Sequence, residues 1–237
     1  MKISALITAY KAQDFIELCL NSFKQQTFLN NPNNEIEVLL AIDGCKRTLN
    51  KVNEIKHKYP FLKVYLAKYN VGTYVLRNSL AQLAKYPNLF FFDSDDLLLP
   101  DMLNIVTPHI KEANILRYKF MAGKLRAGAV IVGNSRDMYP HGTMILKKSL
   151  FERLYGFQNW YCAADTEFLM RSVKLGIEHT LLEDKVYIRL FHNKSLTQRR
   201  DTGMQSAYRK KVRSNIDTKT DWDVPFEPVT TDLQLIE

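Results

Sequence analysis

The chain has 237 residues, 46% hydrophobic and 24% charged, enough to bury the core of one compact α/β domain with a modest extension, which excludes disorder throughout. Its 33 Lys and Arg against 25 Asp and Glu give a formal charge of +8, a balance that attracts phosphate-bearing partners. Three widely separated cysteines, Cys19, Cys45 and Cys162, exclude a disulfide framework and a C-x-x-C zinc spacing and point to a reduced, cytoplasmic setting. The N-terminus reads as a first strand, not a leader. No stretch reaches the roughly 20 apolar residues of a membrane span, so peripheral contact with an anionic surface is the only membrane association expected.

In chain order, residues 3–8 form an apolar strand. Asp14-Phe15-Ile16-Glu17 has the form of a capping box, and Phe15, Leu18, Cys19 and Phe23 give a helical apolar face. Residues 37–42 are the second strand, ending in Asp43-Gly44; a helix over 49–58, a strand over 63–67, a helix over 74–85 and a strand ending at Asp93 follow. Alternation of this kind predicts a doubly wound, mostly parallel sheet. Beyond residue 100 the pattern changes: a helix over 101–112, strands over 115–121, 129–132 and 143–146, helices over 149–155 and 165–175, and strand over 177–191. The sheet is expected to become mixed there. From about Asp217 the chain loses periodicity and reads as an extended arm.

The topology predicts that Thr8 to Lys11, Asp43 and Asp93 to Asp96 gather at one sheet edge, where open α/β sheets bind ligands. Thr8 and Asp43 are expected to be sheet neighbours. Asp93-Ser94-Asp95-Asp96 follows the apolar run Leu89-Phe90-Phe91-Phe92, so three carboxylates stand where a buried strand ends. Such a group offers hard oxygen ligands to Mg²⁺ or Mn²⁺, whose usual partners are phosphates. The competing reading is an acidic loop that caps the next helix at Pro100. Arg199, Arg200, Arg209, Lys210, Lys211 and Arg213 make a basic segment that suits nucleic acid or anionic lipid, or is a solvated helix face.

Ile7-Thr8-Ala9-Tyr10, Cys19-Leu20-Asn21-Ser22-Phe23, Gln25-Gln26-Thr27, Asn70-Val71-Gly72 with Arg77-Asn78, Asp93-Ser94-Asp95-Asp96, Gly142-Thr143-Met144, Asp165 and His192-Asn193-Lys194-Ser195 occur in this order over residues 1–197. The ordered set resembles family 2 glycosyltransferases of the GT-A fold. Two departures stand out: Lys11 replaces the family's usual Asn, and Ala164 replaces the acidic residue before the catalytic Asp.

The resemblance implies a Rossmann-like GT-A fold, with a nucleotide-sugar-binding half over 1–100, an acceptor-binding half over 101–197, and a basic segment with a C-terminal arm over 198–237. It implies metal-dependent, inverting transfer from a nucleotide sugar, with a pyrimidine nucleotide such as a UDP-sugar expected. Asp95 is then the direct ligand of Mn²⁺ or Mg²⁺. Asp93 meets ribose or metal-bound water, and His192 completes the site; a surface histidine is the alternative. Thr8, Tyr10 and Asp43 hold the base, although Asp43-Gly44 is equally a plain turn. Arg77 brings a cation to the diphosphate, or is a surface arginine. Asp165 is the base that takes the acceptor proton, an N-cap being its ordinary alternative, and Glu167 is the fallback.

Trp160 and Tyr161 stack on the acceptor or pack in the core. The expected acceptor is a glycan or lipid-linked glycan. A modified base in viral DNA, or a binding protein without catalysis, are the other readings.

Overall fold

The computed structural model of the protein describes residues 1–133, 137–193 and 195–237. Lys194, inside the His-Asn-Lys-Ser stretch, lies outside the described residues.

Strand β1 (Lys2–Ala9) is buried on both faces. Alternate residues explain why: Ile3, Ala5 and Ile7 enter one core cluster and Leu6 the other, as the period of two requires. Helix α1 (Ile16–Lys24) starts at an N-cap Phe15 that makes no side-chain cap bond, so the expected capping box does not form. Glu17 instead pairs with Lys51 and Lys58, cations that the fold brings from helix α2 (Lys46–Ile55) and the turn after it.

Strands β2 (Glu35–Asp43), β3 (Leu62–Ala67) and β4 (Asn88–Asp93) and helix α3 (Thr73–Leu83) complete the first half as expected. Parallel pairing runs β3-β2-β1-β4. In this register Thr8 stands beside Asp93, and Asp43 beside Ala67. The expected Thr8–Asp43 adjacency is therefore not met, because β2 extends two residues past the point where Thr8 pairs with Ala41.

The second half is mixed. A short β5 (Leu97–Leu98), α4 (Met102–Ile110), β6 (Ile115–Arg126), β7 (Ala129–Val132), β8 (Met144–Lys147), α5 (Lys148–Arg153), α6 (Ala164–Lys174), β9 (His179–Leu190) and α7 (Ala207–Asp217) follow. The β8 strand pairs antiparallel with β4 and β6, and β9 runs parallel to β6.

The arm is only partly irregular. Strand β10 (Leu233–Ile236) pairs antiparallel with β3, covering the outer edge of the ten-stranded sheet, a standard way to silence an exposed edge. On the way, Asn78 Nδ2 and Ser79 Oγ donate to the carbonyls of Val229 and Thr231. Two apolar layers flank the sheet, one under α1, α2 and α4, the other under α3, α5 and α6. All three cysteines are free and buried. No described helix is long and apolar enough to cross a membrane.

Candidate active site

The carboxyl ends of β1, β2 and β4 open into a cleft of about 750 Å³. Thr8, Tyr10, Asp43, Arg77, Asp93, Asp95, Asp165, His192 and Tyr161 all line it. Trp160 does not: it packs half-buried against the core between α6 and α7, the packing alternative having prevailed.

Arg77 is a buried residue of α3, 1% exposed, not the surface arginine its helix position allowed. Its Nη2 donates to Asp93 Oδ1 at 2.7 Å, its Nη1 to the Gly142 carbonyl at 2.9 Å, and its guanidinium lies 5.6 Å from the Phe91 ring centroid. The contact fixes the rotamer of Asp93 and ties β4 to the turn before β8. Burial among the cleft walls raises the Asp93 carboxyl above its ordinary range, Arg77 pulls it down, and neighbouring Asp95 adds to the rise. A Cβ on Gly142 would lie 3.3 Å from Asp165 Oδ2 and 3.6 Å from Asp93 Oδ2. Glycine there keeps open the space onto which the two carboxylates converge.

Asp95 Oδ2 lies 2.7 Å from His192 Nε2, and the imidazole stacks on Phe15 with centroids 4.3 Å apart. Thus residues 97 positions apart meet in one pair. Asp96 turns the other way. It is 2% exposed, its Oδ1 accepts from the Leu190 amide at 3.0 Å, its Oδ2 accepts no hydrogen bond among the described residues, and burial drives its carboxyl well above the ordinary range. Asp96 therefore tethers β9 from within the cleft lining.

Among the described residues no three His, Cys, Asp or Glu side chains close into a metal cage. Asp93, Asp95 and His192 are two pairs, Arg77–Asp93 and His192–Asp95, on one cleft floor. That donor set still suits Mg²⁺ or Mn²⁺, which take one or two carboxylates and draw further oxygens from water and substrate phosphates.

Asp43 accepts from Asn70 Nδ2 (2.8 Å), the Val71 amide (2.7 Å) and the Gly72 amide (3.1 Å). Its carboxylate thus shapes the loop entering α3, and Thr8 Oγ1 meets Thr73 Oγ1 of that helix at 2.6 Å. Burial raises the Asp43 carboxyl, while the two amide hydrogen bonds oppose the rise. Gly44 is required beside it, since φ is +61° and a Cβ would stand 2.6 Å from the Tyr69 carbonyl carbon. Lys11 also adopts a left-handed φ of 55°, a conformation that suits Asn and costs a lysine energy.

Asp165 lies inside the first turn of α6, whose N-cap is Ala163 at φ 63°, so the plain N-cap alternative is not met. Its Oδ1 accepts from the buried Tyr74 hydroxyl at 2.9 Å and the Thr166 amide at 2.8 Å, leaving Oδ2 toward Gly142. Glu167 is fully buried and held by Arg171 through both oxygens, at 3.0 and 2.8 Å. It lies outside the cleft lining, which removes it as a base. Ala164 is also fully buried; an acid there would enter the core.

Tyr74, Arg189, Phe15 and Gly142 are site residues that sequence reasoning did not single out. Only Gly142 carried a signal, its place in the quoted Gly-Thr-Met stretch. The basic segment divides: Arg199, Arg209 and Arg213 line the cleft, whereas Arg200, Lys210 and Lys211 are exposed outside its lining.

This architecture and site match a known family. The pattern described as Glycosyl transferase family 2 matches residues 4–155, and the chain belongs to that family. It is 33% identical over 100 residues to a poly(ribitol-phosphate) β-glucosyltransferase of Bacillus spizizenii, covering 41% of this chain and 15% of the relative. It is 27% identical over 144 residues to a chondroitin synthase of Pasteurella multocida, covering 60% and 13%. The chain thus spans well under a third of the length of either curated relative.

Among solved structures, S. aureus TarS 1-349 in complex with UDP superposes with TM-score 0.65 at 25% identity, covering 81% of this chain and 61% of that one. The mannosyltransferase PcManGT of Pyrobaculum calidifontis, in complex with GDP-Man and Mn²⁺, gives 0.69 at 15% identity over 96% and 67%. That second likeness speaks for the fold alone.

Proposed function

We propose that the protein is a metal-dependent, inverting glycosyltransferase that moves a sugar from a nucleotide-sugar donor to an acceptor hydroxyl. One observation carries the reading: the Asp93 and Asp165 carboxylates converge on Gly142 in the same cleft that the Asp95–His192 pair lines. The family membership and the UDP complex of TarS support a nucleotide-sugar donor, with a pyrimidine nucleotide as the expected base.

Asp95, with Asp93 and His192, would hold the Mn²⁺ or Mg²⁺ ion. When bound, that ion neutralises charge on the departing diphosphate. Arg77 orients Asp93 and opposes the rise that burial imposes on its carboxyl. Thr8, Tyr10 and Asp43 frame the nucleoside, with the exposed Tyr10 ring available for stacking. Asp165 Oδ2 accepts the acceptor's hydroxyl proton as the new oxygen–carbon bond forms and the bond to phosphate breaks, its electron pair leaving with the diphosphate. Tyr74 holds Asp165 in place from behind, and Tyr161 offers a face to the acceptor.

We assign residues 1–100 to the donor, 101–197 to the acceptor, and 198–237 to the closing wall and sheet edge. A glycan or lipid-linked glycan is the acceptor class, and the location is cytoplasmic, with peripheral contact at an anionic membrane.

Calorimetry tests the central assignment. UDP should bind with Mn²⁺ and lose affinity when the ion is chelated, and Asp95→Ala should abolish the metal-dependent part with the fold intact. Equal binding by the variant and the parent would sink it. A screen of sugar donors for protection against unfolding then reads the sugar.

A further inference from the structure

Segment 199–213 carries six cations, and the fold sends them in two directions. Arg200, Lys210 and Lys211 point to solvent, while Arg199, Arg209 and Arg213 face the cleft. Arg199 already has a counter-charge, since its Nε and Nη2 donate to Asp201 at 3.1 and 2.6 Å.

Arg209 does not. It is 8% exposed, its Nε donates to the Thr202 carbonyl at 2.7 Å, and no carboxylate pairs with it among the described residues. A guanidinium stays charged under all ordinary conditions, and stripping it of water without a counter-ion is costly. An apolar cluster makes this position compulsory: Val212 and Ile216 of α7 pack on Cys162, Ala163 and Trp222, pinning the helix so that Arg209 faces inward. Arg213, one turn on and exposed, is likewise without a carboxylate partner among the described residues.

The position within the cleft matters. Helix α7 packs on Cys162 and Ala163, the residues just before Asp165, the Tyr161 amide donates to the Tyr208 hydroxyl at 3.3 Å, and the Arg209 and Asp165 charges both act on the Tyr74 phenol. The unpaired cations therefore lie at the Asp165 end, whereas the acidic floor at Asp93 and Asp95 is balanced by Arg77 and Arg189.

We propose that Arg209, flanked by Arg213, seats a phosphate ester carried by the acceptor, next to the hydroxyl that Asp165 deprotonates. The assignment rests on the glycosyl-transfer reading and names its acceptor class, a polyol or sugar phosphate. A guanidinium fork matches phosphate oxygens in a paired geometry, and two of them match its double charge. A neutral glycan would leave both unpaired. A nucleic-acid track is disfavoured because Arg200, Lys210 and Lys211 lie outside the cleft and Arg199 is already paired with Asp201.

The test uses the full chain saturated with UDP and Mn²⁺. Glycerol 3-phosphate should raise the unfolding temperature and glycerol should not. Arg209→Gln should weaken the glycerol 3-phosphate response about tenfold or more, the scale expected for losing a partner of a desolvated charge pair, with UDP affinity unchanged. Arg209→Lys should fall between. Arg213→Gln guards against misfolding of the buried variant, because the residue is exposed, and should weaken the response by a smaller factor.

Sedimentation with phosphatidylglycerol vesicles but not phosphatidylcholine vesicles, lost in the same variants, would assign the phosphate to a lipid; a response to soluble glycerol 3-phosphate alone would assign a soluble acceptor. A stronger response to glycerate than to glycerol 3-phosphate overturns the phosphate assignment. Loss of UDP affinity in Arg209→Gln would give the guanidinium to the donor and overturn it too, as would oligonucleotide binding that depends on Arg200, Lys210 and Lys211 but not on Arg209. If UDP fails to bind the parent, the glycosyl-transfer reading falls. If UDP binds normally and glycerol matches glycerol 3-phosphate, only the anion seat falls.

Discussion

The two halves of the molecule position their functional groups by different means. In residues 1–100, parallel strands end together, and the side chains at those ends reach the cleft because the sheet register puts them there. In residues 101–197, a long parallel β6–β9 pair is combined with short antiparallel ones and loops, and side-chain bonds between distant segments set the geometry. Tyr74 reaches across 91 positions to Asp165, and Arg171 binds Glu167 together with the carbonyls of Leu154 and Gly156. The lesson is that the first half is fixed by topology and the second by buried polar contacts. Mutations of one contact should therefore cost more in the second half.

The largest effect is expected at that buried pair. Arg171→Met leaves the fully buried Glu167 with only Lys219, at 3.4 Å, and should cost about 3–5 kcal/mol, the usual penalty for orphaning a buried charge. Urea unfolding measures it. A loss below 1 kcal/mol would show that the acceptor half does not depend on the pair.

Next comes Asp165, the proposed base. Asp165→Asn preserves shape and the Tyr74 contact but cannot take a proton, so transfer should fall by about 10²-fold or more with donor affinity nearly unchanged. Steady-state kinetics at saturating donor decide the point, and near-normal turnover would move the base elsewhere.

A third test uses pH. Burial lowers the His179 imidazole to about 4, and its Nε2 lies 2.7 Å from Ser172 Oγ. The unfolded chain binds a proton at this residue below its ordinary value near 6.5, and the folded chain does not until about 4. Its contribution is therefore complete above 6.5 and is lost as pH falls from 6.5 to 4. His179→Gln should flatten that part of the stability curve, read as urea midpoints against pH. An unchanged slope would assign the acid sensitivity to other groups.

The smallest effect belongs to the first half. Lys11→Asn relieves a left-handed conformation on an exposed residue and should gain about 0.5 kcal/mol. A destabilised variant would show that the lysine's approach to the Tyr10 ring, 5.0 Å from its centroid, outweighs the backbone strain.

Much of the site was legible in the sequence because it sits where strands end. The apolar runs before Thr8, Asp43 and Asp93 fixed both the strands and the direction in which their last residues face, since alternation and burial are local properties. The ordered short motifs added Asp165, Arg77 and His192 to that edge. The sequence could not separate Trp160 from Tyr161, or Asp165 from Glu167, because neighbours on one turn differ only in which surface the rest of the fold presses against them.

Tertiary structure alone decided the remainder. The pairing of Asp95 with His192, of Asp93 with Arg77, and of β10 with β3 joins residues 97, 16 and about 170 positions apart, and no local pattern encodes such meetings. The division of the basic segment has the same cause. By composition its six cations are alike, but packing Val212 and Ile216 against Cys162, Ala163 and Trp222 turns Arg209 inward. Helical periodicity gave α7 its apolar stripe; only the surface on which that stripe lands determines which charges meet the cleft and which meet water.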